Sequence, residues 1–294
     1  MLVAQPNSTL PFQFPVDLTR DIFEISARES ARTAQQLVLV SRIVRTWIET
    51  VLYESVTLVS RAHADKFISS FEHRPPSFFK NIKSLVLEYR VGWTRAARVL
   101  ELCTDVEDLS CCVPFPLSLP NIAQMTPRRL KLNVTTSGFD APDNATRTPD
   151  FTLPLFANAT HLLFVDTQSW DHWQGIEALQ NATHLGLHLC AILPERLALI
   201  SHILDVCPNL KLVWLRVYEE CDTMSGLTLF DDPRVVMEKV PPKTAGGSWD
   251  DRWRGKEDFW AQAEMVVQVQ TQHRLTSRQW SVDGCTSYAN VLQT

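Results

Sequence analysis

NATHLLFVD (Asn158–Asp166) and NATHLGLHL (Asn181–Leu189) open with the same five residues. Asn-Ala-Thr is a glycosylation acceptor in a secreted protein. Each copy also runs into a short alternating apolar segment, the pattern of a β-strand. The pair is therefore either two sugar sites or one structural unit used twice, and the compartment and the fold both turn on which.

The surrounding chain argues against secretion. It begins MLVAQPNSTLPFQFPVDL, with no basic stretch and no long apolar core, so no secretory signal is expected. Seven cysteines, at 103, 111, 112, 190, 207, 221 and 285, are an odd number with no C-x-x-C pair. That fits reduced thiols in a cytoplasmic or nuclear protein. Asn-x-Ser/Thr also occurs at Asn7, Asn133 and Asn144, a frequency that chance supplies. No apolar run reaches the roughly 18 residues of a membrane span. A net charge of -5 and a pI near 5.9 disfavour binding to a phosphate backbone, so neither nucleic acid nor membrane is an expected partner.

Read as a repeat, the unit recurs. Segments of the form apolar-x-x-Leu-x-Leu are anchored at Leu85, Leu109, Leu130, Leu162, Leu185, Val213 and Val236. The successive differences are 24, 21, 32, 23, 28 and 23. Leucine-rich repeats have periods of about 20–29 residues with this strand pattern. The long step contains the polar segment 135–154, TTSGFDAPDNATRTPDFTLP, an insertion. Between strands, PERLALISHILDVCPN places Leu197, Ile200, Leu204 and Cys207 on one helical stripe. TRAARVLELC and WDHWQGIEALQN have similar length.

Two α/β arrangements can result. A crossover sheet buried on both faces has near-continuous apolar strands. In THLGLHL, however, Leu185, Leu187 and Leu189 alternate with His184, Gly186 and His188. One-sided burial, and so an irregular solenoid or horseshoe over 59–270, is the expected fold. Its open concave face would carry Glu88, Lys131, Asn133, Leu163, Val165, His188, Trp214 and Arg216 as the target-binding set; Trp and Arg often anchor partners. The tail 271–294 follows no repeat and is expected to pack poorly.

The first 58 residues differ in kind. FPVDLTRDIFEISA puts Leu18, Ile22 and Ile25 at i, i+4 and i+7, with Asp17 placed to cap the helix. ARTAQQLVLVS gives a second short helix, and SRIVRTWIETVLYESVTL a third with Val44, Trp47, Ile48 and Val51 at helical spacing. So few helices make a marginal core that leans on a neighbour or partner.

FPVDLTRDIFEIS…LVLVSRIVRTWIETVLYESVTL resembles an F-box over residues 10–58, closest to F-box proteins of filamentous fungi. The later DDPRVV…GKEDFWAQAEMVV is similar to the closing strand and helix of such proteins. The resemblance implies a three-helix F-box-like unit before the repeats. It also implies a non-catalytic substrate receptor of an SCF-type cullin-RING ubiquitin ligase. The helical unit would dock on a SKP-family adaptor, and through it a cullin, while the repeats bind a target protein. Carried over by position, the adaptor-facing residues are Pro15, Leu18, Ile22, Phe23, Leu37, Val40 and Val44, with Trp47 supplementing them. Val44 stands where the family has an aromatic residue, and ARESARTA is about three residues long for the family's linker. The competing reading is a scaffold without ligase link whose helices form an end cap.

Signs of bond-making chemistry are scarce. There is no G-x-S-x-G and no phosphate-cradling glycine loop, and the chain has only nine glycines. His161, His184 and His188 could share a strand face, but solvated or hydrogen-bonded histidines are the better reading. No enzyme activity, metal or cofactor is expected.

Overall fold

The computed structural model describes residues 14–71, 74–114, 124–133, 149–165, 173–189, 194–218, 232–240 and 259–276. The chain divides into two compact units, Met1–Val56 and Thr57–Thr294.

The first unit holds helices α1 (Val16–Glu29), α2 (Ala31–Leu37) and α3 (Arg42–Leu52). Serines set two of the boundaries. Ser30 Oγ accepts from the Thr33 amide at 3.4 Å and Ser41 Oγ from the Val44 amide at 3.2 Å, satisfying donors that a helix start leaves open. Helix α1 begins after Pro15, so Asp17 sits within its first turn rather than capping it. Ala27, Ala34, Val44 and Ile48 form a small buried core, with Phe23, Leu37, Val38, Trp47, Val51 and Leu52 packed round it.

The second unit is built on strands β1 (Ser55–Leu58), β2 (Ser84–Leu87), β3 (Asp108–Pro114), β4 (Arg129–Asn133), β5 (His161–Val165), β6 (His184–Leu189), β7 (Leu212–Tyr218) and β8 (Val235–Val240). They form one eight-stranded sheet in sequential order, and from β2 to β8 every neighbouring pair is parallel. Parallel neighbours need crossovers. Helices α4 (Arg61–Phe71), α5 (Pro76–Phe79), α6 (Trp93–Leu102), α7 (Pro154–Ala157) and α8 (Pro194–Val206) lie in the connections, and α9 (Phe259–Thr276) follows β8.

This sheet corrects the expected fold, an irregular leucine-rich-repeat horseshoe preceded by a three-helix F-box-like unit. The arrangement is α/β with one all-parallel sheet, of the general class that includes Rossmann and TIM folds. The expectation failed on burial. Alternation along the strands is real, yet both faces are covered. One face carries the apolar row Leu85–Leu109–Leu130–Leu162–Leu185–Val213–Val235, set by the strand register. On that side Phe151 and Phe156 pack on Phe164 of the next row, with ring centroids 5.8 and 6.5 Å away. The other face is closed by α9: Leu163, Leu212, Trp214 and Val236 of the strands enclose Phe259, Trp260 and Ala263 of the helix. His184, Gly186 and His188, expected to face solvent, are buried.

Three finer expectations also change. The last strand registers Val235, not Val236, against Val213; a one-residue slip exchanges the faces. Asp150 and Phe151, placed in the polar insertion, join the fold: Asp150 bridges to Gln174 and Phe151 is buried. Residues 271–276 of the expected loose tail continue α9. Residues 134–148 of the insertion region and 277–294 of the tail lie outside the described residues.

The repeated NATHL segment is structural. Asn181 Nδ2 donates to Ala157 O at 2.7 Å, and Asn209 makes the same backward bond to Gln180 O at 2.7 Å. Thr160 and Thr183 approach the Nδ1 atoms of His161 and His184 at 2.9 and 2.8 Å. Each copy pins the entry of a strand to the coil before it.

Candidate docking surface and the polar face of the sheet

Helix α1 is apolar on two sides. At about 100° per residue, Leu18, Ile22 and Ile25 share one stripe, and Phe23 and Ala27 lie roughly opposite. The second pair meets the core of the helical unit. The first stripe is open to solvent: Leu18 is 52%, Ile22 55% and Ile25 59% exposed. Phe14, Val16, Leu39, Val40 and Ile43 are exposed large apolar residues of the same unit. Scattered exposed apolar side chains are ordinary, but a whole helical stripe, with further exposed apolar residues in the same small unit, is the composition of a protein-docking surface.

The expected adaptor-facing residues therefore separate. Pro15, Leu18, Ile22 and Val40 are exposed. Phe23, Leu37 and Trp47 are half-buried against the unit's own core. Val44, only 5% exposed, belongs to that core and is removed from the docking set. Its position on α3 follows from the helix period, since Val44 and Ile48 are one turn apart and point inward together. Ile25, Leu39 and Ile43 share the exposure of Leu18 and Ile22 and were missed. Ile25 was legible in the spacing; Leu39 and Ile43 needed the α2–α3 turn.

The expected target-binding face divides differently. Lys131, Leu163, His188, Trp214 and Arg216 are buried, each no more than 5% exposed. They are corrected from an open concave face to covered positions. Their side chains do stand on the anticipated side of the strands, but that side is roofed. Glu88, Asn133 and Val165 remain partly exposed near the carboxyl ends of their strands.

Helix α9 is seated by shape and by a polar contact between Glu264 and His184. Trp260 is 2% exposed; its indole lies 4.5 Å from the ring of Phe259 and 6.2 Å from that of Trp214. Gly186 leaves the space. A Cβ there would stand 2.6 Å from Leu163 Cδ1 and 3.1 Å from Trp260 Cη2. Beside it, His161 and His184 stack at 4.2 Å and present their edges to Trp260 at 5.5 and 5.4 Å. His184 Nε2 meets Glu264 Oε1 of α9 at 2.8 Å. His161 and His184, two of the three histidines considered as metal ligands, are thus engaged with threonine and tryptophan, and His184 also with glutamate. Among the described residues no cluster of His, Cys, Asp and Glu could hold a metal ion. Trp260 and Glu264 were missed as structural determinants; the stretch GKEDFWAQAEMVV carried the only signal, because its apolar residues do not form one clean stripe.

Further along the same face, His188 on β6 and Arg216 on β7 are register partners. Burial first, then the charges of Arg216 and Lys131, push the imidazole down to about 4. Arg216 Nε lies 3.9 Å from Glu238 Oε2. No described helix is long and apolar enough to cross a membrane. Protein-family models, curated proteins and solved structures contain no match to this chain.

Proposed function

We propose that this protein is a non-catalytic substrate receptor of an SCF-type cullin-RING ubiquitin ligase. Helices α1–α3 would dock on a SKP-family adaptor, and the sheet unit would hold a target protein. One observation carries the reading: the stripe Leu18–Ile22–Ile25 is exposed on the side of α1 opposite the core it helps to build. Keeping that stripe wet is unfavourable by about 25 cal/mol per Å² of apolar surface, a term that a partner covering it recovers. The F-box resemblance of residues 10–58 says which partner.

The target would meet the rim formed at the carboxyl ends of the strands, where ligands of open α/β sheets bind. Glu88, Asn133 and Val165 are the partly exposed members of the expected set there. Bond-making is left to other subunits, which act through proximity.

The test is co-purification of the full chain with a SKP-family adaptor, beside a Leu18→Asp/Ile22→Asp variant. The wild type is expected to retain the adaptor and the variant to lose it. Both positions are exposed, so unfolding of the variant should stay within about 0.5 kcal/mol of wild type. Absence of adaptor from both samples refutes the ligase link. That outcome favours a binding scaffold whose helices merely complete one another, a reading supported by Phe23, Leu37, Val44 and Trp47 all serving the helical unit's own core.

A further inference from the structure

The helical unit carries two exposed apolar patches of opposite charge. On α1 the stripe Leu18–Ile22–Ile25 is edged by carboxylates. At about 100° per residue, Asp17 and Asp21 run along one side of it, and Glu29 continues it one turn beyond Ile25. All three are exposed. Among the described residues none of their carboxylates is in an ion pair, and Asp17 and Asp21 act on Arg20 more weakly than Glu24 does. The basic residues of the helix are taken instead: Arg20 lies 2.6 Å from Glu24, and Arg28 lies 3.5 Å from Glu24 and 3.7 Å from Glu54. At the α2–α3 turn the sign reverses. Leu39, Val40 and Ile43 are 76, 61 and 56% exposed. Arg42 and Arg45, three apart at the start of α3, are exposed next to them in the chain, and among the described residues neither guanidinium has an ion-pair partner.

A partner that covers the α1 stripe has to bring apolar side chains with positive charge at their margin. Carboxylates pressed against a neutral or acidic surface would lose hydration with nothing in return. The α2–α3 turn of the same unit has the required composition. Each copy of the chain therefore carries a patch and its complement, which is the condition for a two-fold pair. In such a pair α1 of the first copy meets the turn of the second, and the axis repeats the contact the other way round.

We infer that a second copy of this chain covers the helical unit, in a two-fold dimer that sets the acid-edged α1 stripe of each protomer on the arginine-edged turn of its partner. The apolar side chains supply the contact, and Asp21 and Glu29 against Arg42 and Arg45 fix its register, since rim charges select partners more than they add affinity. The inference goes beyond the ligase reading and bears on its regulation. The dimer hides the stripe which that reading gives to an adaptor, so only a free protomer can dock, and self-association holds the receptor in reserve. Leu18, Ile22, Ile25, Leu39, Val40 and Ile43 make a small interface, for which a dissociation constant on the order of micromolar is expected, weak enough for a tighter partner to displace.

The experiment uses the full chain without any adaptor. Its mass is followed by analytical ultracentrifugation from about 1 to 100 µM, the range that brackets a micromolar constant. A concentration-dependent dimer is expected. Asp21→Arg/Glu29→Arg sets like charges against each other at both contacts, and so does Arg42→Glu/Arg45→Glu. Each variant should dimerise about tenfold more weakly or worse, while an equimolar mixture of the two regains the dimer because both contacts again pair opposite charges. All four positions are exposed, and circular dichroism checks that each variant keeps its helices. A chain that stays monomeric, one that grows without closing, variants that dimerise like wild type, or folded variants whose mixture does not dimerise would each overturn the inference. If a variant does not fold, salt decides: raising sodium chloride from about 50 to about 500 mM should weaken the wild-type dimer severalfold, and an unchanged constant refutes it. Adaptor retention is read separately. A monomer that retains adaptor sinks the dimer and spares the ligase reading, and a dimer whose dissociated protomer retains none does the reverse.

Discussion

Gly186→Ala tests how tightly α9 roofs the sheet. Gly186 lies in β6 between Leu163 of β5 and Trp214 of β7. Its backbone is ordinary strand, so the substitution costs nothing in conformation and everything in space. The new methyl would stand 2.6 Å from Leu163 Cδ1, 3.1 Å from Trp260 Cη2 and 3.3 Å from Trp214 Cε3. Leu163 is itself fully buried, so it can yield only by pushing neighbours. Overpacking of this kind costs about 1–3 kcal/mol. Trp260→Ala alone should cost about 3–5 kcal/mol, as for other buried aromatics. In the double variant the vacated indole volume accepts the methyl and the displaced leucine. The cost of Gly186→Ala should then fall by about 1 kcal/mol or more, a coupling expected of residues in contact. Urea unfolding of the four proteins, read by circular dichroism, measures the cycle. Strict additivity, or a costless Gly186→Ala in the wild-type background, would refute the seating of Trp260 over Gly186.

Two further expectations follow from titrating groups. His188 sits near 4 in the folded chain and near 6.5 when unfolded, because burial and two cations disfavour its charge. Between these values the unfolded state binds the extra proton. Stability should therefore fall as pH drops from about 6.5 toward 4, by on the order of 2–3 kcal/mol, with the loss absent in His188→Gln. Urea midpoints across that range check it, and a flat wild-type profile contradicts it. Cys103 is pushed up to about 12 by burial, and burial likewise raises Cys111 and Cys207. At pH 8 Cys103 should react with a thiol reagent on the order of a thousandfold more slowly than a free cysteine until the chain is unfolded. Native-state modification of Cys103 at the free-thiol rate would disprove its burial.

Much of the local structure was legible. The strand anchors Leu85, Leu109, Leu130, Leu162, Leu185 and Val213 stand in one register row because period-two alternation around leucine is a direct imprint of the pleat. The exposed stripe Leu18–Ile22–Ile25 could be read from helical spacing in the same way. Which apolar stripe of α1 faces inward could not, since Phe23 and Ala27 make an equally good face. Val44 was placed outward by the F-box resemblance, whereas the packing of the three helices turns it inward beside Ile48 on α3.

The amino-acid sequence by itself determined the alternation of strand and helix, the places where leucines point one way, and the two-sided character of α1, because these are local consequences of backbone periodicity. Only tertiary structure decided that His184, Gly186, His188, Lys131 and Arg216 are covered. Burial of that face depends on Trp260 and Glu264, which lie 74 and 80 residues beyond Gly186 and His184, the positions they meet. A strand pattern records which sides differ; whether the second side stays wet depends on what the rest of the chain brings to it.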